Sequence, residues 1–332
     1  MIATAPAATV LEEAVQKACR APSLHNSQPW RWVADGSSLQ LYSDGDRLLP
    51  FTDAFGRQLL ISCGAVLDHF RCAMAAVGWR TQITRFPNPN RRDLLADITF
   101  HRADFVTDAE RDRADAIDRR RTDRLPFEEP SGWAGFEPIL RDTIDNEDVG
   151  LHVLPADAQA QLAEATKLTA ALRRYDSMYH AELQWWTGHS VVFEGVPRDA
   201  LVSQAETERV PVGRQFPTTE HQSRRASIPD DHSTVLALTT DTDEPRDLLR
   251  TGEILSTILL ECTMAGYATC TLTHVTEVPK SRSIIRSLVG HGEPQVLVRV
   301  GIAPQSDETP ATTPRRPLFD VLTVENATRG RA

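Results

Sequence analysis

The sequence predicts an α+β chain, an α/β sandwich whose two related halves pack together as a covalent pseudo-dimer. Two observations predict it. Strand-like runs rich in branched and aromatic residues alternate with apolar helices along the chain. Two of those helices align without a gap at an offset of 188 residues: Gly64 falls on Gly252, Leu67 on Leu255, Phe70 on Ile258, Met74 on Cys262, Gly78 on Gly266 and Trp79 on Tyr267. Glycines matched at both ends, each second one followed by an aromatic, mark an internal duplication. With 332 residues, 41% of them hydrophobic, the chain can bury the core that two such halves need.

The elements follow in order. Val10 to Arg20 carries apolar residues at helical spacing and stops at the Pro22 turn. PWRWVA and LQLYS, within 29–43, read as two strands joined at Asp35-Gly36, a hairpin signal. Leu67, Phe70, Met74 and Val77 form the buried face of a helix over Ile61–Trp79, and Ile98–Phe105 reads as a strand. After the basic run 119–124 the pattern partly restarts. Ala158–Trp186 is mainly helical, Ser233–Thr240 a strand, Gly252–Gly266 the second apolar helix and Gln295–Gly301 a strand. The halves are 1–110 and 111–332. Residues 187–231 are polar, punctuated by Pro and Gly, and too long for a plain connection, which marks a lid inserted in the second half.

The bulk numbers exclude several classes. A net charge of −10, spread rather than blocked, argues against nucleic acid or an anionic membrane as partner. No apolar run is long enough to span a bilayer, and the start of the chain lacks the basic residues of a secretory signal. Five cysteines without a C-x-x-C pair fit reduced thiols, and the cytoplasm is the expected compartment. There is no phosphate-loop motif, no dinucleotide fingerprint, no hydrolase elbow and no zinc spacing. His25 lies two residues after Ser23, but proximity in sequence does not make a nucleophilic triad.

What remains is a set of groups suited to anions and amides. The stretch 20–32, RAPSLHNSQPWRW, is a turn-forming cluster with hydrogen-bonding groups at nearly every position. In Arg119-Arg120-Arg121-Thr122-Asp123-Arg124, an extended backbone puts Arg120, Thr122 and Arg124 on one side. Two guanidinium forks flanking a hydroxyl suit a phosphate monoester, while a solvated basic patch is the plain alternative. Thr313-Pro314-Arg315-Arg316-Pro317 offers another arginine pair and, taken alone, is an ordinary charged tail.

Taken together, APSLHNSQPW, the RRTDR run, GEILSTILLECTMAGYATC and TPRRPL resemble the FMN-dependent nitroreductase family over nearly the whole chain. The resemblance is greatest to its Acg-type branch, the dormancy-associated nitroreductase-like proteins of mycobacteria. It implies one FMN per chain at the interface of two halves, as at the dimer interface of the family. The family's Arg-x-Ser/Thr-x-Arg/Lys phosphate motif matches Arg120, Thr122 and Arg124, with Arg121 between them. Its terminal basic residues match Arg315 and Arg316. Its P-S-x-x-N segment, given across the interface, matches Pro22, Ser23, Leu24, His25 and Asn26, with Gln28 just beyond. The strand along the flavin's reactive edge matches Thr269, Cys270, Thr271, Leu272, Thr273 and His274, so backbone N–H groups at Thr273 or His274 would meet N5.

The implied chemistry is hydride transfer from NAD(P)H through the flavin to a nitroaromatic or quinone, a small aromatic acceptor, by one chain acting as an internal dimer. Arg124 would stabilise the anionic reduced ring. Ser23 and Asn26 would bond the ribityl or ring oxygens, and Trp30 would wall the pocket. Bland roles stand beside these: a cap for Ser23, core packing for Trp30, a small buried hydrophobe for Cys270 and strand-end duty for Thr273 and His274. Two departures from the family point elsewhere. The acidic residue or glycine usual near N5 is replaced by Thr273 and His274, and the 187–231 segment would cover the ring. The alternative they imply is FMN storage under a lid without turnover.

Overall fold

A computed structural model describes residues 5–144, 148–188, 193–220, 222–304 and 312–325. Helix α1 (Ala8–Ala18) leads through the loop of 20–29 into the hairpin β1 (Trp30–Ala34) and β2 (Leu39–Ser43). That hairpin pairs antiparallel from Trp30↔Ser43 to Ala34↔Leu39. The Asp35 carboxylate accepts from the Ser37 and Ser38 backbone N–H groups and closes the turn. Helix α2 (Arg57–Ala76) follows, then strands β3 (Trp79–Arg85) and β4 (Leu94–Arg102). The strand expected over 98–105 thus lies earlier, and β3 was not anticipated: its outward residues Arg80, Gln82 and Thr84 mask the apolar alternation.

The second half opens with α3 (Asp108–Arg119), started by a capping box between Thr107 and Glu110, and α4 (Trp133–Thr143). Strand β5 (Gly150–Leu154) leads to α5 (Gln159–Arg173), α6 (Ser177–Gly188) and the short α7 (Gln204–Glu208). Next come β6 (Thr234–Thr240), α8 (Pro245–Met264), β7 (Ala268–Leu272), α9 (His274–Glu277), α10 (Pro279–Val289) and β8 (Glu293–Gly301). Helix α11 (Leu318–Val321) and β9 (Leu322–Val324) end the described chain. Two sheets result, in the orders β3-β4-β2-β1-β9 and β5-β6-β8-β7. Strand β9 lies parallel to β1, Trp32 opposite Leu322 and Ala34 opposite Val324. A single cut between 110 and 111 therefore does not separate the sheets, because the last strand returns to the first.

Helices α2 and α8 form the seam between the two sheets. Of the membrane-length stretch Arg57–Ala76, 83% is buried inside the protein, so its apolar character is that of a core helix. The two helices meet at Gly64 and Gly252. A Cβ on Gly64 would lie 2.0 Å from the Leu249 carbonyl oxygen and 2.8 Å from the Gly252 Cα. A Cβ on Gly252 would lie 2.0 Å from the Ile61 carbonyl oxygen and 2.8 Å from the Gly64 Cα. The contact is reciprocal at the offset that aligns the two helices in sequence, as across a two-fold axis. Below it, Ser256 donates to Asp68 at 2.6 Å, and His69 Nδ1 lies 2.8 Å from Ser256 Oγ. Asp68 is paired with Arg71 as well, and these contacts hold its carboxyl below the usual range despite burial.

Candidate cofactor site

The loop after α1 is held in an unusual backbone. His25, Asn26 and Gln28 all have positive φ, 50°, 58° and 51°, a left-handed conformation that side chains other than glycine seldom adopt. Ser23 Oγ stabilises it by accepting from the Gln28 N–H at 3.0 Å, and Ser62 Oγ accepts from the Leu24 N–H at 3.3 Å. Strain of this kind collects at binding sites, where the surroundings hold it in place.

Opposite this loop, Thr122 bridges in parallel to Thr269, and Asp123 N–H donates to the Thr269 carbonyl at 2.9 Å. The motif thus meets β7 at an isolated bridge, and of the three residues expected on one side Thr122 and Arg124 line a cavity while Arg120 does not. Thr122 and Arg124 face inward, while Asp123 pairs on the other side with Arg225 at 2.6 Å. The cavity lies between loop and strand. Pro22, Ser23, Leu24 and His25 line one side, and Cys270, Thr271, Leu272, Thr273 and His274 the other. Gln58, Ser62 and Ala65 of α2 complete the floor with Leu255 of α8.

Residues of the segment 193–231, which follows α6 in the chain, add to the cavity's lining: Val202, Thr207, Val210, Arg214 and Phe216. The Phe216 ring stands 5.6 Å from the His25 ring, edge to face, and the Arg124 guanidinium lies 5.0 Å from its centroid. Arg214 pairs with Glu277 and donates to Thr273 Oγ1 at 3.0 Å. The segment's start is tied to the first half: Arg47 pairs with Glu194, and Gln28 Nε2 donates to the Phe193 carbonyl at 2.8 Å. Within it, the buried Glu206 carboxylate takes Arg224, and Arg209 donates to the carbonyls of Arg224, Arg225 and Ile228. Residues 189–192 and 221 of the expected lid lie outside the described residues.

Not every residue of the sequence expectation lines the cavity. Asn26 Nδ2 donates to the carbonyls of Gly195 (3.1 Å) and Pro314 (3.2 Å), and Gln28 Oε1 accepts from the Arg316 backbone N–H. Both amides fasten the loop to its neighbours. Trp30 is fully buried in the first core with Trp32. Arg121 donates to the carbonyls of Asp118 and Arg120 and to Thr312 Oγ1. Arg120 is buried and donates to Thr122 Oγ1 at 3.4 Å, and its Nε has no partner. Burial, then Arg121 and Arg20, push its guanidinium down to about 10. Arg315 falls to about 9 through burial and the nearby Arg120 and Arg20. Such crowding of like charge is costly without an anion. Sequence reasoning missed Arg20, Arg214 and Phe216. The first precedes the recognised motif, and the other two sit in a stretch without periodicity.

The cavity's histidines are uncharged at neutral pH. Burial, then Arg214 and Arg124, hold His25 well below its usual value, and both its ring nitrogens lack partners. His274, lowered to about 3 by burial and Arg214, bonds Thr166 Oγ1 through Nε2 at 3.1 Å. Its Nδ1 has no partner. Unpaired buried nitrogens beside an apolar wall suit a ligand with both flat apolar area and polar edges.

No family model matches the chain. It is 54% identical over 320 residues to an uncharacterised protein of Mycobacterium tuberculosis, covering 95% of this chain and 93% of that one. It is also 54% identical over 316 residues to a protein of the same organism named as a proposed NAD(P)H nitroreductase, acg, with 95% and 96% covered. Among solved structures, the FMN-dependent nitroreductase NfnB of Mycobacterium smegmatis, solved with NADPH, aligns at 16% identity and a TM-score of 0.40, over 66% of this chain and all of that one. At such identity to acg over nearly its full length, the chain belongs to the Acg-type branch of the nitroreductase family.

Proposed function

We propose that the chain is an FMN-binding, NAD(P)H-dependent oxidoreductase that reduces nitroaromatics or quinones, with one FMN per chain shared by two halves of a covalent pseudo-dimer. The observation that carries the cofactor is Arg120: a buried guanidinium with an unpartnered Nε, crowded by other arginines and donating to Thr122, which lines the cavity. The reciprocal Gly64–Gly252 contact supports the pseudo-dimer. The residues present fit the group. Arg120 and Thr122 would hold the phosphate, and the 22–25 loop and β7 would take the two sides of the ring.

When bound, FMN supplies the two-electron chemistry, accepting hydride from NAD(P)H and passing it to the acceptor. The chain's residues bind, orient and exclude water. Arg124 lines the cavity as a cation and would stabilise negative charge on the ring's pyrimidine side. Arg214, paired with Glu277, donates to Thr273 Oγ1, and the backbone at Thr273 and His274 would be offered to the ring's reactive edge. Neutral His25 and His274 each offer a ring nitrogen as donor or acceptor without adding charge.

Phe216 favours a second reading, FMN storage under a closed lid. A ring held between His25 and Arg124 occupies space that nicotinamide or an acceptor would need. Steady-state NADPH oxidation with a nitroaromatic acceptor separates the two. Rapid turnover by the purified yellow protein supports the enzyme; tightly held FMN with none supports storage, and activity appearing only after deletion of 195–225 would place the block in the lid. Colourless protein that takes up no FMN rejects both.

A further inference from the structure

Four guanidiniums from three segments of the chain come together, Arg20, Arg120, Arg121 and Arg315; Arg20, Asp118 and Arg315 line a hollow against α1, while Thr122 and Arg124 of the neighbouring run line the cavity. The resemblance gives Arg315 to the cofactor's phosphate, yet its donors are engaged. Nε donates to the Cys19 carbonyl at 2.9 Å, one terminal nitrogen to Thr313 (3.2 Å) and Pro314 (3.0 Å), and the other to Arg20 (3.0 Å) and Ala21 (3.4 Å). That is as many hydrogen bonds as a guanidinium has N–H donors. Arg316 is turned away to the Gln28 carbonyl, Asp44 and the Asp320 carbonyl.

Arg20 differs. Its ion-pair contact with Asp118 is long, 3.8 Å, and Lys17 holds that same carboxylate at 3.0 Å. The Asp118 backbone carbonyl accepts from Arg121, and the Arg20 carbonyl accepts from Arg315, so both arginines reach the backbone next to Arg20 and its partner. Arg120 and Arg315 both feel its charge. The Asp118 carboxylate faces Arg20 and Lys17, and a phosphate monoester brings close to two negative charges.

We infer that Arg20 is a phosphate-binding residue, taking with Arg120 the place that the family pattern gives to the terminal arginines. Arg315 is then a positioning residue: it fastens the carbonyls of 19–21 and so fixes the backbone from which Arg20 and the PSLHN loop depart. The phosphate is thereby bound from both halves, with Arg20 from the first and Arg120 from the second. This inference rests on the FMN reading and specifies which residues select FMN over riboflavin, the same ring without the phosphate.

The test measures FMN and riboflavin dissociation constants by flavin fluorescence on the full chain stripped of cofactor. Arg20→Ala raises the FMN constant by about tenfold or more and leaves that of riboflavin unchanged. Arg20→Lys recovers most of the loss. Arg315→Ala weakens both flavins together, because the loop moves. Riboflavin binding serves as the check that each variant is folded. An FMN constant altered less than about twofold by Arg20→Ala, or equal losses for both flavins, overturns the assignment while leaving the FMN reading intact. An unaltered chain that binds neither flavin overturns both.

Discussion

The α2–α8 seam and the arginine cluster both bring charged side chains together from distant parts of the chain, yet they are finished to different degrees. At the seam charges have opposites: Asp68 has Arg71 and Ser256, Glu253 has Arg85 and Arg250, and Glu261 has Arg113. At the cluster, guanidiniums face guanidiniums, and Arg120 keeps an unpartnered nitrogen. The difference teaches which part the chain completes alone. The seam's charges are paired within the fold, whereas at the cluster burial and neighbouring arginines push the guanidiniums of Arg120 and Arg315 down, a cost that a bound anion would offset.

The strongest way to break the comparison is at the seam. Gly64→Ala puts a methyl 2.0 Å from a backbone oxygen of α8, where no side chain can yield. We expect about 3 kcal/mol or more of lost stability by denaturant unfolding, and Gly252→Ala should cost a similar amount. A cost below about 1 kcal/mol at both positions would mean that the helices can part without penalty. At the cluster, Arg120→Ala should leave stability unchanged or slightly raised while weakening FMN by about 1.5–3 kcal/mol, as for a charged hydrogen bond. Saturating FMN would then stabilise the unaltered chain against heat far more than the variant; equal thermal shifts would count against the anion site.

Acid probes both regions together. His69, at the seam, and His274, in the cavity, are lowered to about 3, His69 by burial and Arg120. The unfolded chain takes up a proton at each near pH 6.5, and the folded chain does so only near pH 3. Stability is therefore full above pH 6.5 and falls as the pH drops, by about 2 kcal/mol per histidine at pH 5. His69→Gln and His274→Gln should each flatten the stability–pH slope between pH 6.5 and 5 by one proton. The smallest expected effect is on the lid. Phe216→Ala should quicken acceptor reduction or FMN exchange several-fold with little change in stability, measured by stopped-flow release of bound FMN; an unaltered release rate would show that the ring is no barrier.

Much of the scaffold was legible because it is written locally. The periodicities of α1, α2 and α8 and the alternation of β1, β2, β6 and β8 each need only a short window of sequence. The common face of Thr122 and Arg124 was legible as well, since alternate residues of an extended segment share a side, whereas Arg120 does not line the cavity with them. What escaped was long-range. Nothing near 322–324 says that three residues will pair with β1, some 290 positions earlier. The engagement of Asn26 and Gln28 with Gly195, Phe193 and Pro314 is equally invisible in their own neighbourhood. Arg315 offers its charge in the sequence, but only the fold reveals five carbonyls around it.

The return of β9 to β1 has a consequence for synthesis. During translation the first sheet is made early, with the β1 edge open and the 19–21 carbonyls unclamped, until residues 313–324 leave the ribosome. An open strand edge is a template for unwanted pairing. Residues 313–324 thus act as a time stamp: the 19–21 carbonyls and the sheet edge are closed in one late event, so a chain cut short of residue 313 should be aggregation-prone and, on the proposed reading, should hold FMN weakly.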